Sequence, residues 1–229
     1  MFSLVLLNGG IGQRARANAP KQFLRVDGRP IVVFSLVAAD AIDDITEIIL
    51  NYPPGWLEEL KRLVADFAIQ TPITYVPAGN TRHESVSTML DHCRNDQVIL
   101  HETARPMVTA DDFATIIADE RTNVSYMLAI PFTVAPVEPD TQSVTGYLDR
   151  NRLRNVQLPQ KFALSDLRSA HRQAAQKGRI FTEDATLCAE AGIKVFYLEG
   201  NNSNLKVTSP LDVKLANYLL STHGGNDDE

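Results

Sequence analysis

Apolar stretches alternate with amphipathic stretches along most of the chain, and this alternation predicts strands and helices in turn. Short runs rich in Val, Ile, Leu and Tyr predict strands at residues 4–7, 45–52, 74–77, 98–101, 126–131 and 194–199. Apolar residues at helical spacing predict helices at residues 31–41, 56–68, 82–92, 111–119, 165–177, 183–191 and 211–220. Repeated strand–helix order is typical of an α/β fold, in which helices cover both faces of a mostly parallel sheet. Ligands of such sheets bind beyond the carboxyl ends of the strands.

Residues 132–159 break this alternation. They contain three prolines and one glycine, and they show no helical stripe. Short extended pieces between such residues favour a hairpin-like arm or lid. We therefore predict a single domain over residues 1–221 with this extended β-arm inserted into it, and a flexible polar tail at residues 222–229.

Composition restricts the class of protein. The net charge of −6 argues against broad binding to nucleic acid or to an anionic membrane, because both need an excess of cations. Cys93 and Cys188 show neither metal-ligand spacing nor a disulfide framework. No stretch approaches the 18 or so apolar residues of a membrane span. These features predict a cytoplasmic protein with no membrane partner.

A glycine-rich segment follows the first strand. Residues 8–12 read Asn-Gly-Gly-Ile-Gly, and Arg14 and Lys21 come after them. Glycines let the backbone approach a ligand closely and turn successive N–H groups into one concavity, and cations behind them meet phosphate oxygens. The segment therefore predicts a loop that binds a nucleotide triphosphate.

Two other interpretations of this segment are weaker. Residues 10–15 fit the G-x-G-x-x-A fingerprint of dinucleotide-binding folds, which needs a helix opening directly off the glycines. Pro20 stops such a helix early, and Asp27 lies in a Val-Asp-Gly-Arg-Pro turn rather than at the end of a second strand. A glycine turn without any ligand is the remaining alternative, and the cations at positions 14 and 21 count against it.

Five further polar segments fall where predicted elements begin or end. Each alone has a structural explanation: Thr182 with two acids can cap a helix, His101 can be a packed histidine, and Asp149 with Arg150 can be an exposed ion pair. The five segments are Gly79–Ser85, His101–Pro106, Asp149–Arg150, Thr182–Ala185 and Asn204–Thr208.

Taken together, these segments resemble the cytidylyltransferase family that includes 2-C-methyl-D-erythritol 4-phosphate cytidylyltransferase and ribitol-5-phosphate cytidylyltransferase. The resemblance runs from about Leu4 to Leu220. The matching family elements are G-x-G-x-R…P-K-Q at Gly10 to Gln22, R-x-x-S at Arg82 and Ser85, H-D-x-A-R-P at His101, Ala104, Arg105 and Pro106, D-R-N at Asp149 to Asn151, P-Q at Pro159 and Gln160, T-[DE]-[DE]-A at Thr182 to Ala185, and N-x-K-V-T at Asn204 to Thr208.

The resemblance implies a Rossmann-like sheet of the nucleotidyltransferase type and transfer of CMP from CTP to a phosphorylated alcohol, with release of pyrophosphate. It implies Mg²⁺ on the triphosphate and a homodimer, since the family's arm crosses to a second subunit. The implied catalytic cations are Arg14, Lys21 and Lys206. The implied nucleotide contacts are Asn8, Gly9, Gly10, Gly12, Gly79, Asn80, Ser85, Glu102 and Thr103, with Glu102 also a candidate metal ligand. The implied acceptor contacts are Arg105, Arg150 and Thr182.

The chain departs from the family pattern near the base, the ribose and the acceptor. Asn8-Gly9 stands for a usual pair of alanines, and Asn80 and Glu102 each stand for a usual aspartate. Residues 131–136 lack the Asp-Thr step that helps the named members to hold a polyol phosphate. Our leading hypothesis from the sequence is therefore a cytidylyltransferase with a different phosphorylated acceptor. A genuine methylerythritol phosphate enzyme and a CTP-binding sensor without turnover are the alternatives.

Overall fold

The computed structural model describes residues 1–10 and 19–223, and these form a layered α/β domain. The strands are β1 (Phe2–Leu7), β2 (Arg25–Val26), β3 (Arg29–Pro30), β4 (Ile45–Tyr52), β5 (Ile73–Pro77), β6 (Gln97–Glu102), β7 (Val124–Ala129), β8 (Val137–Glu138), β9 (Ser143–Val144), β10 (Arg154–Ala163) and β11 (Phe196–Glu199). The α-helices are α1 (Ile31–Asp40), α2 (Leu57–Asp66), α3 (Arg82–Leu90), α4 (Ala110–Ala118), α5 (Leu164–Gln176), α6 (Asp184–Glu190) and α7 (Pro210–His223).

Seven strands form the central sheet, in the order β11-β7-β10-β6-β1-β4-β5. Strand β10 runs antiparallel to both of its neighbours, and every other pair in this sheet is parallel. The predicted mostly parallel sheet is confirmed. The predicted strands and helices each correspond to an observed element, with ends that differ by a few residues.

The continuous apolar runs of the central strands follow from burial on both faces. Along β1, the side chain of Val5 packs against the layer that holds α3 and α5, while Leu4 and Leu6 pack on the opposite side with α1 and α4. Successive side chains of a strand point to opposite faces, so a strand covered on both sides needs an apolar residue at every position. This burial holds the strand ends, and therefore the loops beyond them, in fixed positions.

The segment predicted as an arm ends earlier than expected. Its hairpin β8–β9 is short and exposed, but Arg154 already begins β10, a strand in the middle of the main sheet. The prediction extended the arm to residue 159 because prolines and a glycine recur up to that position and no helical stripe interrupts them. The pairing of β10 with β7 shifts register between Val156 and Gln160, and this irregularity accommodates Pro159.

Helix and turn signals were mostly located correctly. Thr109 caps α4 in a capping box with Asp112. Asp27 and Gly28 both have positive φ, 48° and 72°, and form the two-residue turn between β2 and β3. The cap of α6 differs from the prediction: the Glu183 carboxylate, rather than Thr182, accepts the first N–H groups. Three polar residues in a row offered alternative caps, and the one that directly precedes the helix is used.

Over the described ranges, no helix combines the length and apolar character needed to cross a lipid bilayer.

Candidate functional site

Residues beyond the carboxyl ends of β1, β4, β5 and β6 surround a cleft of about 380 Å³. These four strands are neighbours in the sheet, so the loops that follow them meet at one edge. The lining residues are Leu7, Gly9, Gly10, Lys21, Gln22, Asn51, Gly79, Asn80, Thr81, Arg82, Ser85, Glu102, Thr103, Ala104 and Lys206.

The cleft brings together most of the residues implied by the resemblance. The predicted residues in its lining are Gly9, Gly10, Lys21, Gly79, Asn80, Ser85, Glu102, Thr103 and Lys206. Asn8 lies directly before Gly9 and is fully buried. Gly12 and Arg14 lie outside the described residues. Arg105, Arg150 and Thr182 do not belong to the lining.

Glu102 organises the cationic side of the cleft. One carboxylate oxygen accepts a hydrogen bond from Arg105 Nε at 2.9 Å, and the other lies 2.5 Å from Lys206 Nζ. Burial alone raises the pKa of Glu102, but Lys206 and Arg105 outweigh this and lower it to about 2. The carboxylate is therefore ionised at every physiological pH. It holds the Lys206 ammonium, whose side chain remains 42% exposed, at the cleft wall.

Lys21 and Gln22 follow Pro20 in a short 3₁₀ turn and connect the glycine loop to the opposite wall. Lys21 Nζ donates to the carbonyl of Val207 at 3.0 Å. Gln22 is buried, and its Nε2 donates to the carbonyl of Gly10 at 2.8 Å. Lys21 and Lys206 thus approach the cleft from two segments that meet at Val207.

The start of α3 forms the wall beyond β5. Thr81 caps the helix, accepting from the backbone N–H of Glu84, and Asn80 N–H donates to the Glu84 carboxylate. Gly79 N–H donates to Ser85 Oγ at 3.0 Å. The Ser85 hydroxyl therefore accepts from the protein and keeps its own hydrogen for another acceptor.

Arg82 is a third cation in the described lining of the cleft, beside Lys21 and Lys206, and no role was predicted for it from the sequence. Its Nη1 lies 2.6 Å from the carboxylate of Asp184, which is buried at the start of α6 and also contacts His171 at 3.0 Å. Burial raises the pKa of Asp184, but Arg82 and His171 hold it below its ordinary value. The ring of His83 stacks 4.4 Å from that of His171, and burial together with this neighbour lowers the pKa of His83. The R-x-x-S match already contained Arg82, so the signal for it was present.

Three polar side chains link the ends of β4, β1 and β6. The backbone N–H of Asn8 donates to Asn51 Oδ1 at 2.5 Å, and Thr103 Oγ1 donates to Asn8 Oδ1 at 2.9 Å. Gly9 is required beside them, because a Cβ atom at this position would lie 2.4 Å from Ala78 Cβ. Asn51 was missed by the sequence analysis, although a polar residue near the end of an otherwise apolar strand was its visible signal.

The predicted acceptor residues lie in different settings. Arg105 is buried, donating to Glu102 and, through Nη1, to the carbonyl of Asn204 at 2.8 Å. In the arm, Arg150 is exposed and donates to the carbonyl of Pro131 at 2.9 Å. Thr182 is exposed beside the start of α6. Arg105 thus supports Glu102 and the 204–206 segment from behind, and the acceptor roles of all three residues stay predictions.

His101 is packed inside the protein, as its place in a strand suggested. It is fully buried at the end of β6 and meets the Phe113 ring edge to face, with centroids 5.5 Å apart. Burial lowers its pKa to about 3, so the ring is neutral at physiological pH. It does not belong to the cleft lining. His101 is therefore a packing residue rather than a catalytic base.

The acidic groups of the cleft fit a metal ion carried in by a nucleotide better than a resident metal ion. Among the described residues, no group of three or more His, Cys, Asp and Glu side chains converges as metal ligands do. Glu102 is the one carboxylate in the described lining. Mg²⁺ in nucleotide sites commonly binds through one or two carboxylates together with phosphate oxygens and water. The donor set is consistent with that arrangement.

Comparison with known proteins points to one family. A family model described as IspD, 2-C-methyl-D-erythritol 4-phosphate cytidylyltransferase, matches residues 2–222. A relative of that name from Nostoc punctiforme is 32% identical over 225 residues, covering 96% of this chain and 99% of the relative. Another, from Bacillus velezensis, is 31% identical over 227 residues, covering 98% of each.

Solved structures agree with this similarity. The 2-C-methyl-D-erythritol 4-phosphate cytidylyltransferase of Thermus thermophilus superposes with a TM-score of 0.76 at 29% identity, covering 96% of this chain and 98% of that one. A 4-diphosphocytidyl-2C-methyl-D-erythritol synthase from Anaerococcus prevotii superposes with a TM-score of 0.84, covering 96% of both chains. At 23% identity, the latter supports the fold alone.

Proposed function

We propose that this chain, which belongs to the 2-C-methyl-D-erythritol 4-phosphate cytidylyltransferase family, transfers CMP from CTP to 2-C-methyl-D-erythritol 4-phosphate and releases pyrophosphate. The observation that carries the proposal is the convergence of Lys21, Arg82 and Lys206 on a cleft beside the glycine loop. Three cations suit a ligand with several phosphate charges. The family match over nearly the whole chain supports this choice of nucleotide and acceptor, because the description of the family contains both.

The choice of acceptor departs from our leading hypothesis from the sequence. That hypothesis rested on residues 131–136, which lack the Asp-Thr step expected in the arm. Three relatives with 31–32% identity over at least 95% of this chain carry the methylerythritol phosphate name, which favours the alternative of a genuine family activity with a divergent arm. A changed acceptor remains an outcome that the assay below distinguishes.

The chemical step needs positioning and charge stabilisation more than acid–base catalysis. A phosphate monoester has a second pKa of about 6, so at pH 7 the acceptor phosphate is mostly a dianion and attacks without a general base. An acceptor oxygen forms a bond to the α-phosphorus of CTP as the bond from that phosphorus to the bridging oxygen breaks. Pyrophosphate leaves with the electron pair of the broken bond. The protein must bring the two anions into line and stabilise the charge on the oxygens.

Lys21 and Lys206 are our assignments for that stabilisation, together with Arg14. The ammonium groups of Lys21 and Lys206 are held before any ligand binds, by the Val207 carbonyl and by Glu102. Preorganised charges need no reorganisation at the moment of reaction, which is the main source of their effect on rate. Arg82, held by Asp184 on the opposite wall, completes the binding site for the triphosphate.

Mg²⁺ bound to the nucleotide would supply further neutralisation of phosphate charge, and Glu102 is the residue that would hold it. Glu102 stays ionised, as such a ligand must, and because its two oxygens are paired with Arg105 and Lys206, Lys206 would have to give up one of them to the ion.

We also propose a homodimer through the arm. The hairpin and its flanks expose large apolar side chains, with Phe132 77%, Val144 68% and Tyr147 81% exposed. Exposed apolar side chains clustered on one protrusion mark a surface for a partner, and a second copy agrees with the family's arm exchange. Sedimentation equilibrium tests this directly: a monomer at every concentration up to about 100 times the assay concentration contradicts the dimer.

A pyrophosphate-release assay tests the function. Purified protein with Mg²⁺ is given each of the four nucleoside triphosphates with 2-C-methyl-D-erythritol 4-phosphate, ribitol 5-phosphate or glycerol 3-phosphate. We expect release with CTP and 2-C-methyl-D-erythritol 4-phosphate, at least about tenfold faster than with any other pair.

The other outcomes are equally informative. Release with CTP and a different phosphate would restore the hypothesis of a changed acceptor. CTP binding by calorimetry without release under any acceptor would favour a sensor and contradict the proposal.

A further inference from the structure

Asn51 lies in the lining of the cleft, and the proposed reaction assigns it no role. It lies near the end of β4, between the glycine loop and the 79–80 turn, and it is 1% exposed. Its Oδ1 accepts the backbone N–H of Asn8 at 2.5 Å. The structure records no acceptor for its Nδ2 among the residues that it describes.

The orientation of the Asn51 amide follows from this contact. If the group were turned by 180°, its NH₂ would face the Asn8 N–H, donor against donor. The bond to Asn8 therefore fixes Oδ1 as the end that meets the Asn8 N–H and Nδ2 as the end that lies beside Gly9. A buried amide held in this way offers a donor of fixed direction to the cleft, without the entropy cost of ordering it on binding.

The neighbours of Asn51 leave room for this amide. Gly9 has no side chain, and a Cβ atom there would lie only 2.7 Å from Asn51 Nδ2. Asn8 lies on the other side of Gly9 and is held in turn by Thr103. Asn8 and Gly9 stand where the family usually has two alanines. Asn8 bonds the Asn51 amide, and Gly9 leaves the space that this amide needs.

The hydrogen-bonding groups at this end of the cleft suit cytosine. Asn51 Nδ2 and the Ser85 hydroxyl hydrogen are both donors, because Ser85 Oγ already accepts from Gly79 N–H. Cytosine presents two acceptors, O2 and N3, on its pairing edge, whereas uracil presents a donor at N3. A fixed NH₂ group facing N3 is satisfied by cytosine and opposed by uracil, and unpaired buried polar groups are what make such sites selective.

We infer that Asn51 is a nucleotide-specificity residue of this chain, whose side-chain NH₂ donates to an acceptor on the cytosine edge and disfavours uracil. The inference rests on the proposed function for the identity of the nucleotide. It adds a side-chain contact at Asn51 to the nucleotide contacts, Ser85 among them, that the family resemblance implied.

Two substitutions at this position test the donor itself. Asn51→Leu keeps the approximate volume and removes the donor. Asn51→Asp keeps the acceptor for Asn8 N–H and replaces the donor by an acceptor. At about pH 8 we expect the ratio of kcat/KM for CTP to that for UTP to fall about tenfold in Asn51→Leu, on the scale of one hydrogen bond. The ratio should fall further in Asn51→Asp, because that carboxylate opposes the acceptors of cytosine and accepts from uracil N3–H.

The matched control is Asn95→Leu. Asn95 bridges the same two strands at their other ends, donating to Ser3 Oγ and Thr46 Oγ1. It should lower the melting temperature and leave the CTP-to-UTP ratio unchanged. An unchanged ratio in both Asn51 variants that fold, or an equal change in Asn95→Leu, overturns the inference.

Binding measurements separate this inference from the proposed function. Dissociation constants for CTP and UTP, from calorimetry without acceptor, should show the same loss of preference. If wild-type protein prefers CTP in binding but turns over no acceptor, the proposed function fails while the role of Asn51 is still measured. If turnover is normal and the preference survives in both Asn51 variants, only the role of Asn51 fails.

Discussion

Buried polar side chains are bonded differently at the two ends of the central strands. We call the side where the parallel strands begin the amino edge, and the side where they end the carboxyl edge. At the amino edge, Glu47 is 2% exposed, and its carboxylate accepts from Ser3 Oγ at 2.6 Å and from Arg94 N–H at 2.7 Å. Asn95 joins the same network through Ser3 and Thr46. None of these five residues has a buried polar atom without a partner.

At the carboxyl edge, buried polar atoms lack partners within the part of the chain that the structure describes. They include Asn8 Nδ2, Gln22 Oε1, Arg82 Nη2 and Asn204 Oδ1. A buried polar group left unpaired costs about 1–3 kcal/mol. Strands β1 and β4 contribute residues to both edges. The difference in hydrogen bonding therefore does not follow from the type of fold. The polar groups at the amino edge bond to one another, whereas several buried groups at the carboxyl edge have no partner among the described residues.

The largest expected loss of stability comes from substitution of Asp184, a buried carboxylate that pairs with Arg82. In Asp184→Asn, Arg82 loses its carboxylate, and we expect the free energy of unfolding to fall by about 3 kcal/mol, since removing one partner of a buried pair strands the other charge. Urea denaturation measures the loss, and the KM for CTP should rise because Arg82 is no longer held.

The control for Asp184→Asn is Glu190→Gln, on the same helix. Glu190 pairs with Arg179 while both side chains are more than half exposed, so its loss should cost less than about 1 kcal/mol. Equal effects of the two substitutions would contradict the buried link between α3 and α6.

A similar effect with a characteristic pH dependence is expected for Glu102. Because its pKa is lowered from 4.5 to about 2 in the folded protein, the stability that it contributes is fully present above pH 4.5 and is lost as the pH falls toward 2. Glu102→Gln should therefore be less stable than wild type by about 3 kcal/mol at pH 7. Denaturation curves from about pH 7 to about pH 3 should show this difference shrinking. A difference independent of pH would show that the ionised carboxylate is not its source.

Loss of Lys21 should affect rate more than stability. We expect Lys21→Ala to lower kcat by at least about 100-fold, equivalent to about 2.7 kcal/mol of transition-state stabilisation. Steady-state pyrophosphate release measures it. Lys61→Ala, an exposed lysine on α2 paired with Glu58, serves as the control and should leave kcat unchanged. An unchanged rate in Lys21→Ala would remove this residue from the mechanism.

The smallest expected effect belongs to the amino edge and concerns stability alone. Burial raises the pKa of Glu47, but hydrogen bonds from Ser3 and Arg94 outweigh burial and hold this pKa below its ordinary value. Glu47→Gln should lower the free energy of unfolding by about 1–3 kcal/mol at pH 7. The kcat and the KM for CTP should both stay at wild-type values. A change in the KM for CTP would mean that the two edges are coupled through β1 and β4.

Local patterns in the sequence were sufficient for the strand–helix order and for most of the cleft. The apolar runs of β1, β4 and β6 exist because both faces of the sheet are covered, and that requirement is visible in any single strand. The glycine loop and the polar segments after the strands predicted most of the residues that line the cleft, and their role in binding a ligand stays a prediction. Their identity as a nucleotide site came from a resemblance that the family match later confirmed.

Tertiary structure alone decided which polar groups support the site and which remain available to a ligand. Arg105 and Arg82 are both arginines in matched motifs, yet Arg105 is buried behind Glu102 while Arg82 lines the cleft. Asn51 and Asn95 are both polar residues beside apolar runs, and only Asn51 faces the cleft. Hydrogen-bond partners from distant strands make these distinctions, as Asn8 with Asn51 and Thr103 shows. The local sequence determines which positions along a strand or helix are buried. Which buried donors find a hydrogen-bond acceptor depends on how strand ends that are distant in the sequence meet in the fold.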